Sequence, residues 1–235
     1  MGCSTTSQPE RVATWNVAGL QLAGQTVFVQ TIPGLGRKGE AAGLLGADTL
    51  SRFGAIRFDF VAQTMTVLGP QSPPPRSRNI VRGPLAATPI PNVLLTGGPD
   101  AIAALTVAEG PTYSFAAASI QFRGAKGGVF LVVDTGSSRS VVDSTLVRVV
   151  HFAGTNLAER QHTVCSTITV PLVHSGAWSI GDVPLVPLTI ASTDLGDVTN
   201  TGAFGLLGLD ELSRYQYVVI DFKDAALAFG PQQRR

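Results

Sequence analysis

Cysteine is almost missing from these 235 residues: only Cys3 and Cys165 occur. Neither a disulfide framework nor a zinc cluster organises such a chain, and the expectation is two separate, buried free thiols. Histidine is scarce too. His151, His162 and His174 are widely spaced and have no ligand-like companions, so they read as surface or core histidines, and no metal site is expected. Charged residues make up only 14% of the chain, 17 basic against 16 acidic, for a net charge of +1. No basic stripe is present for a nucleic-acid backbone to follow, so nucleic acid is not an expected partner. No apolar run is long enough to span a bilayer as a helix. The first residues lack the apolar stretch of a signal peptide. Met1-Gly2-Cys3-Ser4-Thr5-Thr6 does fit a myristoylation pattern, but the repeat described next gives these residues a different origin.

What the chain holds in quantity is apolar residues, 44% of the total, together with 26 glycines and 15 prolines. That content can bury a sizeable core and suits one large domain or two lobes of about a hundred residues each. A repeat favours two lobes. Gly43-Leu44-Leu45-Gly46-Ala47-Asp48-Thr49-Leu50-Ser51-Arg52-Phe53 recurs as Gly205-Leu206-Leu207-Gly208-Leu209-Asp210-Glu211-Leu212-Ser213-Arg214-Tyr215, an offset of 162 residues. Ten of the eighteen positions from 43 to 60 are identical, ending with Asp59-Phe60 against Asp221-Phe222. After a one-residue gap Gly69-Pro70 answers Gly230-Pro231, and the same offset sets Cys3-Ser4-Thr5 on Cys165-Ser166-Thr167. The chain therefore reads as one lobe present twice. Residues 1–70 are the first copy, entered part-way through. Residues 71–100 are a proline-rich linker, and 101–235 are a complete second copy.

In the first copy, residues 26–30 and 56–58 read as strands by their β-branched and aromatic content, and 34–39 as a loop. Leu44 and Leu45 read as a strand, and 48–53 as a short helix that Asp48 caps. Pro70 and Pro73-Pro74-Pro75, with the prolines at 84, 89, 91 and 99, keep the connection extended, as a tether. In the second copy, 113–122 reads as strand, 124–128 as turn and 130–133 as strand. Residues 140–150 mix strand and helix spacing. Residues 163–173 are β-rich and form one arm of a hairpin over a cleft, and 185–190 read as strand. Residues 194–200 are an acidic turn without calcium-loop spacing. Residues 232–235 are a frayed tail.

One stretch carries chemistry: Phe130-Leu131-Val132-Val133-Asp134-Thr135-Gly136-Ser137-Ser138. Four apolar residues in a row read as a buried strand. A carboxylate is expensive to bury unless it is paired or hydrogen-bonded. Here one follows directly from the strand, on a turn that a glycine permits, with the Thr135 and Ser137 hydroxyls beside it. That is how a chain holds a carboxylate at the floor of a cleft. Asp134-Thr135-Gly136-Ser137 resembles the active-site turn of the aspartic proteases, both pepsin-like and retropepsin-like. Gly205-Leu206-Leu207-Gly208-Leu209-Asp210 resembles that family's second signature, whose strand (here Leu206, Leu207 and Gly208) threads beside the catalytic turn. Tyr217-Val218-Val219-Ile220-Asp221-Phe222 and Ala226-Leu227-Ala228-Phe229-Gly230 resemble its closing hairpin. The resemblance covers residues 113 to 231.

The resemblance implies an all-β, two-lobed aspartic-protease barrel architecture and an aspartic endopeptidase acting on polypeptide held extended in a cleft. In that family two such turns meet across a pseudo-twofold axis, and their carboxylates share a proton because like charges so close do not both ionise. One activates a water and the other polarises the scissile carbonyl; no cofactor is needed. Asp134 is then one catalytic carboxylate. Thr135 bonds across the axis, Gly136 permits close approach, and Ser137 bonds the outer carboxylate oxygen. The second carboxylate is the difficulty, because Asp-Thr-Gly occurs once in the chain. Asp134 falls 28 short of the 162-residue offset, which puts the first copy's turn ahead of Met1. Three readings stay open: a fragment of a longer enzyme, a retropepsin-like homodimer that pairs second copies, and a non-catalytic peptide-binding relative. The cut first copy leaves a strand edge that invites self-association. The compartment is open, with secretion or a periplasmic location following only if a signal lies upstream.

Overall fold

The structure is a computed structural model that describes residues 8–17, 20–29, 45–68, 76–77, 95–96, 101–110, 113–162, 167–181 and 183–233. Cys3, Cys165, the 34–39 loop, the linker prolines and the last two residues lie outside these. The chain divides into two compact units, one of Leu44–Glu159 with Val170–Arg235, the other of Gly2–Gly43 with Arg160–Thr169. The second contains an antiparallel hairpin of β1 (Gln8–Val17) and β2 (Leu20–Val29), in register from Gln8 opposite Val29 to Val17 opposite Leu20. The strand expected at 26–30 is the end of β2.

The rest of the chain carries α1 (Ala47–Leu50), a 3-10 turn (Ser51–Phe53), β3 (Ala55–Asp59), β4 (Thr64–Leu68), β5 (Arg76–Ser77), β6 (Leu95–Thr96), β7 (Ala101–Gly110), β8 (Tyr113–Phe122) and β9 (Gly128–Val133). Next come β10 (Val141–Asp143), α2 (Ser144–Val150), β11 (Ala153–His162), β12 (Thr167–His174), β13 (Trp178–Ile180), β14 (Val183–Leu185) and β15 (Thr189–Thr193). Last are α3 (Asp197–Asn200), β16 (Ala203–Leu207), α4 (Leu209–Leu212), β17 (Tyr217–Asp221) and β18 (Ala226–Phe229). The fold is all-β. One sheet runs β11-β12-β15-β10-β16-β9-β8-β7-β18-β17-β3-β4, and β13 pairs with both β8 and β14. Ile120, Phe122, Leu131, Trp178, Ile180, Leu207 and Phe229 are buried in its core, where Phe122 stacks on Trp178 with ring centroids 5.7 Å apart.

The repeat is realised in three dimensions. The 162-residue offset carries β3 onto β17 and α1 onto α4, residue for residue. β3 and β17 pair antiparallel with Arg57 opposite Val219, and these two are themselves repeat equivalents. A local twofold axis therefore passes through that pair. Hydrogen bonds obey it: Phe60 N–H donates to Gln216 O and Phe222 N–H to Gly54 O, both at 2.8 Å. The two hairpin turns obey it as well. Asp59 Oδ1 accepts from Ala62 N and Asp221 Oδ1 from Asp224 N, both at 2.9 Å. The left-handed residues Gln63 (φ 54°) and Ala225 (φ 51°) also correspond.

Several local expectations change. Leu45 is not strand, because the chain is already turning into α1: Thr49 and Leu50 N–H both donate to Gly46 O. Gly46, in extended conformation, is the N-cap, so Asp48 lies inside the helix and does not cap it. Residues 185–190 do not form one strand but two, β14 and β15. Pro187 has no N–H to offer a ladder. Its neighbours find other partners: Trp178 Nε1 donates to Val186 O at 2.7 Å, and Leu188 N donates to Ser175 Oγ at 2.9 Å. The mixed spacing of 140–150 resolves into β10 followed by α2, whose N-cap Asp143 accepts from Thr145 N at 2.7 Å. The acidic turn at 194–200 contains the single-turn α3. Gln233 of the tail is held in place, its Nε2 donating to the Ser213 and Tyr215 carbonyls at 3.0 Å.

Candidate active site

Asp134 is delivered by β9. Leu131 and Val133 of that strand are buried, so the strand is anchored in the core up to the residue before the carboxylate. β16 lies between β9 and β10. It is parallel to β9, with Leu206 opposite Val132 and Leu207 opposite Val133, and antiparallel to β10, with Leu206 opposite Val141. A chain segment some 70 residues later in sequence thus separates the two strands that flank the Asp134 turn. Close approach requires glycine in β16. A Cβ on Gly205 would fall 2.5 Å from Val141 O and 2.9 Å from Leu131 Cγ.

The turn is stitched to this inserted segment. Asp134 N–H donates to Leu207 O at 3.0 Å, and Leu209 N–H donates to Ser137 O at 2.8 Å. Within the turn, Ser137 N–H donates to Asp134 O at 3.2 Å and Gly136 N–H to Asp134 Oδ1 at 2.9 Å. Asp134 and Thr135 are half-buried and Gly136 is exposed. Burial pushes the Asp134 carboxyl above the usual carboxylate value, against the opposing pull of the Gly136 and Ser137 N–H groups. The structure thus brings Asp134, Thr135, Gly136 and Ser137 together with Leu206, Leu207 and Gly208. One assigned role differs. The Ser137 hydroxyl donates to Arg139 O at 2.6 Å, so its one proton does not go to the Asp134 carboxylate.

Gly208 sits where two backbones cross. A Cβ there would lie 2.5 Å from Arg139 C, 2.6 Å from Arg139 O and 2.8 Å from Ser140 N. All three are backbone atoms and cannot swing away. Gly208→Ala is therefore expected to lower stability by about 3 kcal/mol, read as the shift in urea midpoint. A loss below about 0.5 kcal/mol would mean that the turn and the inserted segment move apart easily.

Three neighbours, Arg139, Ser140 and Glu211, and the partner of Asp210 are not indicated by the sequence. Arg139 ties the turn outward: Nη1 donates to Thr189 O at 2.8 Å and Nη2 pairs with Glu159 Oε2 at 2.6 Å. Ser140 and Asp210 bond each other across 70 residues of sequence. Glu211 is completely buried; its pKa is pushed up to about 7, mainly by burial, against Arg214 and the Val186 N–H and with a contribution from Asp210. The one signal available was the repeat, which marks Asp48 and Asp210 as the same residue in both copies. A cavity of about 600 Å³ beside β3 and β4 is lined by Phe58, Phe60, Met65 and Ser213 among others, and by no residue of the Asp134 turn.

No protein-family model matches the chain, and no curated protein matches it. Among solved structures, the crystal structure of an aspartic proteinase from Irpex lacteus is similar over 58% of this chain, with 15% identity and a TM-score of 0.35. The similar region spans 48% of that proteinase, about half its length.

Proposed function

We propose that the chain is an aspartic-type endopeptidase in which Asp134 supplies one of two carboxylates that activate a water against a peptide bond. The observation that supports this best is the carboxylate itself: half-buried, at the end of a buried strand, on a glycine turn pinned by an inserted parallel strand. A desolvated carboxyl holds its proton to higher pH, which suits a pair in which one member is ionised and the other protonated. The local twofold axis through Arg57 and Val219 supports a two-lobed organisation, with residues 1–70 and 101–235 as the related copies and 71–100 between them. The substrate is polypeptide, bound extended so that its backbone pairs with cleft strands, and no cofactor takes part. The 235 residues hold one Asp-Thr-Gly turn, half of such a pair; the second turn comes either from a longer form of this chain or from a second copy of it. The test is hydrolysis of an unfolded protein substrate between pH 3 and 7. Cleavage that requires Asp134 supports the reading. Saturable peptide binding with no cleavage at any protein concentration, nor with an upstream Asp-Thr-Gly lobe supplied, would replace it with the non-catalytic, peptide-binding one.

A further inference from the structure

Backbone bonds hold the start and middle of the Asp134 turn, at Asp134 and Ser137. The exit of the turn, at Ser140, is held to the inserted segment by side chains. Ser140 Oγ accepts from Gly208 N–H at 3.0 Å and donates to Asp210 Oδ1 at 2.6 Å, and the same oxygen accepts Ser140 N–H at 2.8 Å. Ser140 O in turn accepts from Ala191 N–H of β15. Ser140 is completely buried. A bond of that length from a hydroxyl to a carboxylate belongs to the short, charge-assisted class. Residues 207, 208, 209 and 210 thus each hold one point of a turn only seven residues long.

Asp210 uses its carboxylate lopsidedly. Oδ1 takes both bonds from Ser140, while Oδ2 is buried with no hydrogen-bond partner among the described residues. Leaving a buried acceptor unmade costs stability. A device serving stability alone would do better with an apolar contact at that place. Rules of local economy are broken most often where function requires a fixed geometry.

We propose that Ser140 and Asp210 are positioning residues, which set the orientation of the Asp134 carboxylate by clamping the exit of its turn to the start of α4. The word positioning rests on Asp134 being the reactive group; the clamp itself does not. The first copy carries Asp48 at the position of Asp210. Ser140→Ala removes the relay at once: Gly208 N–H loses its acceptor and Asp210 loses a donor. The released turn admits water to Asp134, whose carboxyl then returns towards its ordinary value, since burial is the main cause of its displacement. Asp210→Asn keeps an acceptor oxygen for Ser140 and preserves the clamp.

The experiment is a carbon-detected NMR titration of the Asp134 carboxyl in the whole chain, assigned with Asp134→Asn, with a thermal melt alongside. Ser140→Ala and Asp210→Ala are expected to lower the Asp134 midpoint by about half a unit or more, and Asp210→Asn is expected to keep the wild-type midpoint. If Ser140→Ala does not fold, Ser140→Cys, which keeps the volume and weakens the bond, is expected to shift the midpoint in the same direction. Folded Ser140 or Asp210 variants that lose thermal stability but keep the Asp134 midpoint would overturn the proposal and leave a purely structural clamp. So would an Asp210→Asn shift as large as that of Asp210→Ala. The titration reads Asp134 whether or not the chain cleaves peptides, so failure of the positioning role and failure of the peptidase reading are told apart.

Discussion

Asp134→Asn is expected to remove peptide hydrolysis, a loss on the order of 10³-fold or more, because groups that act as one unit fail together. The amide keeps the shape of the side chain and can still accept from Gly136 N–H, so the turn, with its bonds to Leu207 and Leu209, should survive. What goes is the ionisable oxygen. A lone carboxylate can take a proton from water or present one to a carbonyl, but not both in the same step. The loss should therefore lie in kcat, with binding of an uncleavable peptide nearly unchanged. The wild-type profile should sit in the acid-to-neutral range, since burial raises the Asp134 carboxyl and keeps a proton available above the ordinary carboxylate range. A variant that loses binding and turnover together would point to a collapsed turn, and a melt of the same sample decides between the two.

The second large effect concerns stability. Glu211 is fully buried, its pKa is about 7 in the fold against an ordinary value of 4.5, and Arg214 Nε lies 3.4 Å from Oε2. The folded protein therefore binds this proton more tightly than the unfolded chain does. The contribution is fully present below about pH 4.5 and is lost as pH rises through 7. A displacement of that size corresponds to roughly 3 kcal/mol. Glu211→Gln keeps the volume and never ionises. It should match the wild type near pH 4 and exceed it by up to roughly 3 kcal/mol at pH 8. Urea midpoints at the two pH values check this. A difference between variant and wild type that does not change with pH would show that the carboxylate is solvated or better paired than its burial implies. The repeat makes the position more pointed, because its counterpart in the first copy is Thr49, also buried and never charged.

Where the sequence was legible, a residue type announced its own constraint. Asp134 after four apolar residues, Gly136 in the turn and the doubled 43–60 motif each carry their reason locally, and β9, β3 and β17 appear where those reasons place them. Where it was not, the partner lay far away in sequence. Nothing near Ser140 points to Asp210, and nothing in Asp210-Glu211 says that Glu211 faces inward, because a short helix with two acids reads as solvated. Residues 185–190 look like one strand by content. They are split because Pro187 withholds a donor while Trp178 and Ser175 engage its neighbours, a side-chain arrangement that composition does not encode. Asp48 looked like a helix cap because capping is the commonest use of an aspartate near a helix start, yet the N-cap is two residues earlier, at Gly46, and the helix starts at Ala47.

The central claim is that Asp134 is half of a catalytic pair and not a complete site. It is tested most directly by peptidase rate measured against protein concentration for the 235-residue chain, with Asp134→Asn in parallel. The lone chain is expected to be nearly inactive at high dilution, with any activity at higher concentration rising more steeply than protein as copies pair, and with none from Asp134→Asn throughout. Activity strictly proportional to protein at every dilution, and surviving Asp134→Asn, would contradict it.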